Sequence, residues 1–308
     1  MLRRSRLIVV LLAILEFAAH HSFAADAPAN AEPAGPMKKT AGAITIDGAL
    51  DEPCWKEAAT IRADYVNSKQ GVLSDDPRLA VKYTWDEQYL YIGYETFDKN
   101  LVALGSGESQ GPVDNKRDGC EIYKEGVKVD VVEFFISFGD ERFFWEIHHN
   151  ALNQFNDVWC TVVDEKWPIA KSSFCPYGII FGSGEYLKDF GQHQVAMAVK
   201  MKPKADGKPS TVNDPSDEDT GYTAEIRLPW GSLGAPRALQ KKADKNAEPK
   251  WDMAGQELIV LAVCQDGDLK ERYHHSSPTR KGGWFHTTAA LWPRYKLTAD
   301  TNADGKQK

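Results

Sequence analysis

Apolar residues alternate with polar ones at a period of two along most of this chain, a spacing that builds sheets rather than helical bundles. In residues 79–85, Leu79, Val81, Tyr83 and Trp85 fall on one face, while Lys82 and Thr84 take the other. The turn Asp86-Glu87-Gln88 then leads into a strand over 89–97, which makes a hairpin. Residues 130–138 place Val132, Phe134, Ile136 and Phe138 on one face, with Val131, Glu133 and Phe135 opposite. Further strands are expected over 143–150, 154–163, 193–201, 222–228, 256–266 and 294–298. About ten strands with no long amphipathic helix predict an all-β domain, an antiparallel β-sandwich or a flattened barrel. Two polar segments, 202–220 and 234–255, read as surface loop insertions between strands.

The ends carry different signals. Arg3, Arg4 and Arg6 precede the apolar run 7–15, and small residues follow around Ala24 and Ala25, the pattern of a secretory signal peptide over 1–24. That predicts a secreted or periplasmic protein. Residues 25–41, with Pro28, Pro33 and Pro36, read as a disordered leader, 42–299 as one domain, and 300–308 as a flexible tail. Removing 1–24 deletes three Arg and one Glu, so the formal charge moves from −7 to −9. Such a balance argues against nucleic acid or an anionic membrane surface as partner. The five cysteines, Cys54, Cys120, Cys160, Cys175 and Cys264, include no C-x-x-C pair. Cys160 and Cys264 sit in apolar strand-like runs and are expected in the core.

One short stretch is denser in information. Ile44-Thr45-Ile46-Asp47-Gly48-Ala49-Leu50-Asp51-Glu52-Pro53-Cys54-Trp55-Lys56-Glu57-Ala58 reads as a short strand, a turn, and a single helical turn presenting Trp55 and Ala58 on one face. This pattern resembles the opening of the family 9 carbohydrate-binding modules, within the wider DOMON-like, jelly-roll-like β-sandwich group. Four later segments are similar to the same family in the same order. They are the hairpin Trp85-Asp86-Glu87-Gln88-Tyr89-Leu90-Tyr91-Ile92 and the strand Asp130-Val131-Val132-Glu133-Phe134-Phe135-Ile136. Next comes Gly221-Tyr222-Thr223-Ala224-Glu225-Ile226-Arg227-Leu228-Pro229-Trp230, and last Trp284-Phe285-His286.

A sugar ring offers an apolar C–H face and a rim of hydroxyls, so its site needs a flat aromatic surface with polar partners at the edge. The resemblance implies two tryptophans sandwiching a terminal sugar. It matches Glu133 to a sugar-binding glutamate and Trp284 to the later tryptophan. The other tryptophan would lie at Val127, where Tyr123 is the nearest substitute, and a sugar-contacting arginine is replaced by Glu146. His286 belongs to the closing motif. The candidate carbohydrate-binding residues are therefore Glu133, Trp284, Tyr123, Glu146 and His286. The resemblance also makes Ca²⁺ a candidate cofactor, with oxygen ligands from Asp98, Asp130 or the acidic run 214–219.

Three functions follow as expectations. The first is an exported, non-catalytic carbohydrate-binding protein serving glycan breakdown, with a saccharide ligand and a glycoside hydrolase as candidate partner. The alternative is a glycoside hydrolase using Glu133 and Glu146 as its carboxylate pair. The third is a haem protein with Met197, Met201 or Met253 as ligand, although no C-x-x-C-H motif is present. His148-His149 and His274-His275 also raise a metal reading, but adjacent strand residues point to opposite faces and cannot chelate one ion as a pair.

Overall fold

The computed structural model describes residues 33–63, 65–66, 72–73, 78–104, 129–139, 143–162, 179–183, 195–242, 249–267, 273–276 and 292–299. Among the described residues, one short α-helix, α1 (Pro53–Glu57), and a 3-10 turn at Arg237–Leu239 stand among fifteen strands. In chain order these are β1 (Pro33–Lys38), β2 (Ile61–Arg62), β3 (Tyr65–Val66), β4 (Val72–Leu73), β5 (Leu79–Trp85), β6 (Tyr89–Thr96), β7 (Val131–Ser137) and β8 (Phe143–His149). They continue with β9 (Phe155–Val162), β10 (Ile179–Ser183), β11 (Ala196–Met201), β12 (Tyr222–Pro229), β13 (Glu257–Asp266), β14 (Tyr273–Ser276) and β15 (Arg294–Thr298).

Two sheets result. The large one runs β10-β9-β8-β7-β13-β14-β3-β4, with β15 joined to β13 and β1 joined to β15. The small one runs β11-β12-β6-β5-β2. Among the described residues, every pairing of these strands is antiparallel except β1 with β15. The main core lies between the sheets, where Val81, Tyr83, Ile92, Tyr94 and Ile226 of the small sheet meet Val132, Phe134, Ile147 and Val260 of the large one. The expected sandwich is the observed architecture.

The large sheet is buried on both sides at its centre. Phe135, Phe144, Cys160, Ile259, Leu261 and Val263 point away from the main core, yet form a second apolar cluster with Trp292. The Trp292 ring lies 5.3 Å from Phe135 and 4.8 Å from Phe144, centroid to centroid. This explains why β7 and β13 read as nearly unbroken apolar runs. A strand covered on one face alone would keep its polar alternation.

Several expectations need correction. Part of the stretch read as a disordered leader forms β1, because Met37 enters the main core and its carbonyl accepts the Trp85 indole N–H at 2.9 Å. Residues 44–46 adopt no strand. The segment 234–255 is more than a surface insertion, since Trp251 and Met253 reach the core. Met197 also packs there. Cys160 and Cys264 are buried in apolar clusters, as expected, and Cys54 is half-buried. The signal peptide, the tail, Cys120 and Cys175 lie outside the described residues.

Candidate functional site

The sequence motifs meet each other in space, and most of them serve the fold. Gly48 has φ +83°, and a Cβ there would come within 2.7 Å of the backbone at Val199 and Lys200, so the turn requires glycine. Asp47 Oδ1 accepts the Ala49 N–H at 2.8 Å, the aspartate turn expected from sequence. Glu225 of β12 then gathers the motif. Its Oε2 accepts the N–H groups of Asp47 and Gly48, each at 2.9 Å, and its Oε1 accepts the Trp55 indole at 2.8 Å. Burial pushes Glu225 up to about 7, against the pull of these donors. Trp55 is thus spent on the scaffold, 1% exposed. In the hairpin, Asp86 Oδ1 caps the turn by accepting the N–H groups of Gln88 and Tyr89, and Trp230 donates its indole N–H to the Asp86 carbonyl at 2.8 Å.

A group of buried polar residues lies on the outer face of the large sheet. In β7 and β8, Glu133 pairs with His148, and Phe135 with Glu146. Pleating puts Glu133, Glu146 and His148 on the face opposite Phe134 and Ile147. His148 Nε2 stands 3.0 Å from Glu146 Oε1 and 3.7 Å from Glu133 Oε1. Two further strands contribute. The Gln265 amide of β13 donates to Glu133 Oε1, and the Cys160 thiol of β9 reaches Glu146 Oε2 at 3.6 Å. All three members are buried: Glu133 is 4% exposed, Glu146 7% and His148 5%. His149, one residue on, points inward. Its Nδ1 faces the Tyr94 hydroxyl at 2.5 Å and its Nε2 faces Asn153 Oδ1 at 2.7 Å. Asn153 Nδ2 donates to the Met197 carbonyl, which leaves Oδ1 to accept from His149 and assigns the proton to Nε2. Burial pulls this histidine down to about 4.

A second ionic group occupies the rim at the same end of β7 and β13. Asp98 follows β6, Asp130 precedes β7 and Asp266 ends β13; one ligand oxygen from each lies within 4.8 Å of the others. Asp130 accepts the Gly267 N–H at 2.6 Å and the Val102 N–H at 2.6 Å. Arg78 pairs with Asp266 at 3.3 Å. Burial, with the neighbouring Asp98 carboxylate second, pushes Asp130 up to about 8. Three buried carboxylates offering only oxygen suit a hard cation such as Ca²⁺. The acidic run 214–219 does other work. Asp219 accepts the N–H groups of Leu101 and Thr211, and Asp217 pairs with Lys204.

Of the candidate residues, the structure brings Glu133 and Glu146 to one face. Tyr123, Trp284 and His286, together with Val127, lie outside the described residues. Sequence reading considers His148 only with its neighbour His149, though the i, i+2 spacing from Glu146 is the signal for a shared face. Gln265 and Cys160 were missed, because only the strand order β9-β8-β7-β13 brings them there. Among the described residues Phe143 is the exposed large apolar side chain, stacked 6.2 Å from Trp159 on the opposite face of β8.

Comparison with known proteins gives this arrangement a context. Residues 46–145 match the family model described as "Carbohydrate family 9 binding domain-like", a span that holds the Gly48 turn, the hairpin and Glu133. A protein from Bacteroides uniformis ATCC 8492, provisionally described as carbohydrate-binding, has a similar structure at TM-score 0.50 and 14% identity. The match covers 85% of this chain and 97% of that one, and it shows a shared fold. A family 9 carbohydrate-binding module from Caldicellulosiruptor kristjanssonii, solved with glucose, aligns at TM-score 0.47 and 14% identity, over 87% of this chain and 97% of that one. No curated protein matches the chain.

Proposed function

We propose that this chain is an exported, non-catalytic carbohydrate-binding protein that takes its saccharide on the outer face of the large sheet, around Glu133. The supporting observation is the family match over 46–145, which includes the strand bearing Glu133, on a fold of the same two-sheet kind. In this reading Glu133 and Glu146 accept hydroxyl hydrogen bonds, Trp284 and Tyr123 supply the flat apolar surface, and His286 orients the closing loop. The protein serves glycan breakdown beside a glycoside hydrolase. Calcium at Asp98, Asp130 and Asp266 would tie the end of β6 in the small sheet to β7 and β13 in the large one.

A glycan array probed with the full chain tests this reading. Binding to a defined set of saccharides, lost in Glu133→Gln, is the expected result, and a flat array contradicts it. Because Glu133 and Glu146 share a face, the bound glycans are also assayed for new reducing ends. Intact glycans are expected. Cleavage that disappears in Glu133→Gln would replace binding by hydrolysis.

A further inference from the structure

We propose that Glu133, Glu146 and His148 form a binding site for a divalent transition-metal ion of the zinc class. The inference goes beyond saccharide binding, since it needs these three side chains and no glycan.

The geometry comes first. Donors held about 2.0–2.1 Å from a tetrahedral ion stand roughly 3.3 Å from each other. The His148 Nε2 separations of 3.0 Å from Glu146 and 3.7 Å from Glu133 bracket that value, and one ligand atom from each residue lies within 4.8 Å of the others. The three therefore surround one point without rearrangement of the backbone. Paired strands place them there: Glu133 sits directly opposite His148, and Glu146 lies two residues before His148 on the same face.

The surroundings are those of a ligand set held in position. Metal-binding carboxylates are oriented by hydrogen bonds from an outer layer of groups. Here the Gln265 amide donates to Glu133 from the strand on one side, and the Cys160 thiol reaches Glu146 from the strand on the other. Next along the face come Phe135, Phe144 and Val263, each fully buried, so an ion would rest beside a dry apolar layer.

Donor chemistry selects the ion. Imidazole nitrogen with carboxylate oxygen suits Zn²⁺, Mn²⁺ or Co²⁺, while Ca²⁺ takes oxygen alone. The Asp98, Asp130 and Asp266 group, at the same end of β7 and β13, has that oxygen-only set. The two groups should therefore take different ions.

Co²⁺ is the probe, because its visible bands report ligand number and type. The full chain is stripped with chelator and titrated with Co²⁺, followed by Zn²⁺ in competition. One Co²⁺ per chain is expected at this site, with bands of a four- or five-coordinate ion that Zn²⁺ abolishes. Glu146→Gln and His148→Gln should each weaken binding at least about tenfold and alter the bands, while Glu257→Gln, at an exposed ion pair with Arg294, leaves both unchanged. Should His148→Gln fail to fold, as judged by its melting transition without metal, Glu133→Gln carries the same test. Wild-type protein that binds Co²⁺ no more tightly than the folded variants would overturn the proposal. Glycan binding that fails while Co²⁺ binding survives would remove the saccharide reading alone.

Discussion

Glu225 shows how much of a sequence motif is spent on holding the chain together. Three N–H donors converge on its carboxylate, and one of them is the tryptophan that makes the opening motif conspicuous. Burial nevertheless raises it from the ordinary 4.5 to about 7, so the folded state retains a proton that the unfolded chain releases between those values. The stability this group contributes is complete below pH about 4.5 and declines as pH rises through 7. Urea unfolding of wild type and Glu225→Gln across pH 4–8 tests the sign. Wild type should lose stability relative to the variant as pH rises through that window, and a constant difference would show that the donors outweigh burial. The Trp55–Glu225 contact was not legible in the sequence. The two residues are 170 positions apart and belong to segments recognised separately.

At the level of elements, the period-two pattern located the strands well where one face is apolar. The expected 79–85 and 294–298 coincide with β5 and β15, and the strands around 89–97, 130–138 and 256–266 differ by a residue or so at their ends. It failed where periodicity has too few residues to show. β2, β3 and β4 are two-residue strands, and β1 is a Pro- and Gly-containing segment whose place depends on pairing with β15, far away in sequence. The ion-lined rim is a product of pairing too. Asp98 and Asp130 stood out as oxygen donors in the sequence, but Asp266 joins them only because β13 lies beside β7. If this rim holds Ca²⁺, the ion links β6, β7 and β13 in the folded state alone. Saturating Ca²⁺ should then stabilise the protein by about 2.7 kcal/mol at a hundredfold excess over Kd. Melting with Ca²⁺ and with EGTA checks this: a rise in Tm that vanishes in Asp130→Asn is expected, and equal melting in both conditions removes calcium from the account.

Across the whole molecule, the sandwich is asymmetric. Its large sheet is packed on both faces at the centre, and the outer face changes from apolar at Phe135, Phe144 and Leu261 to ionic at Glu133, Glu146 and His148. Burying such groups is costly unless they are paired, and here Glu146 meets His148 and Glu133 accepts from Gln265. Sequence reading identified Glu133 and Glu146 as a carboxylate pair. It did not show how deep they lie, since alternation tells which way a side chain points and not what covers it. The most direct test of the central claim is a tryptophan-fluorescence titration of the full chain with the saccharides that score highest on the array, run beside Glu133→Gln. A saturable change in wild type that is absent from the folded variant is the predicted result. The same saturation curve in both proteins would move the ligand away from Glu133 and contradict the account.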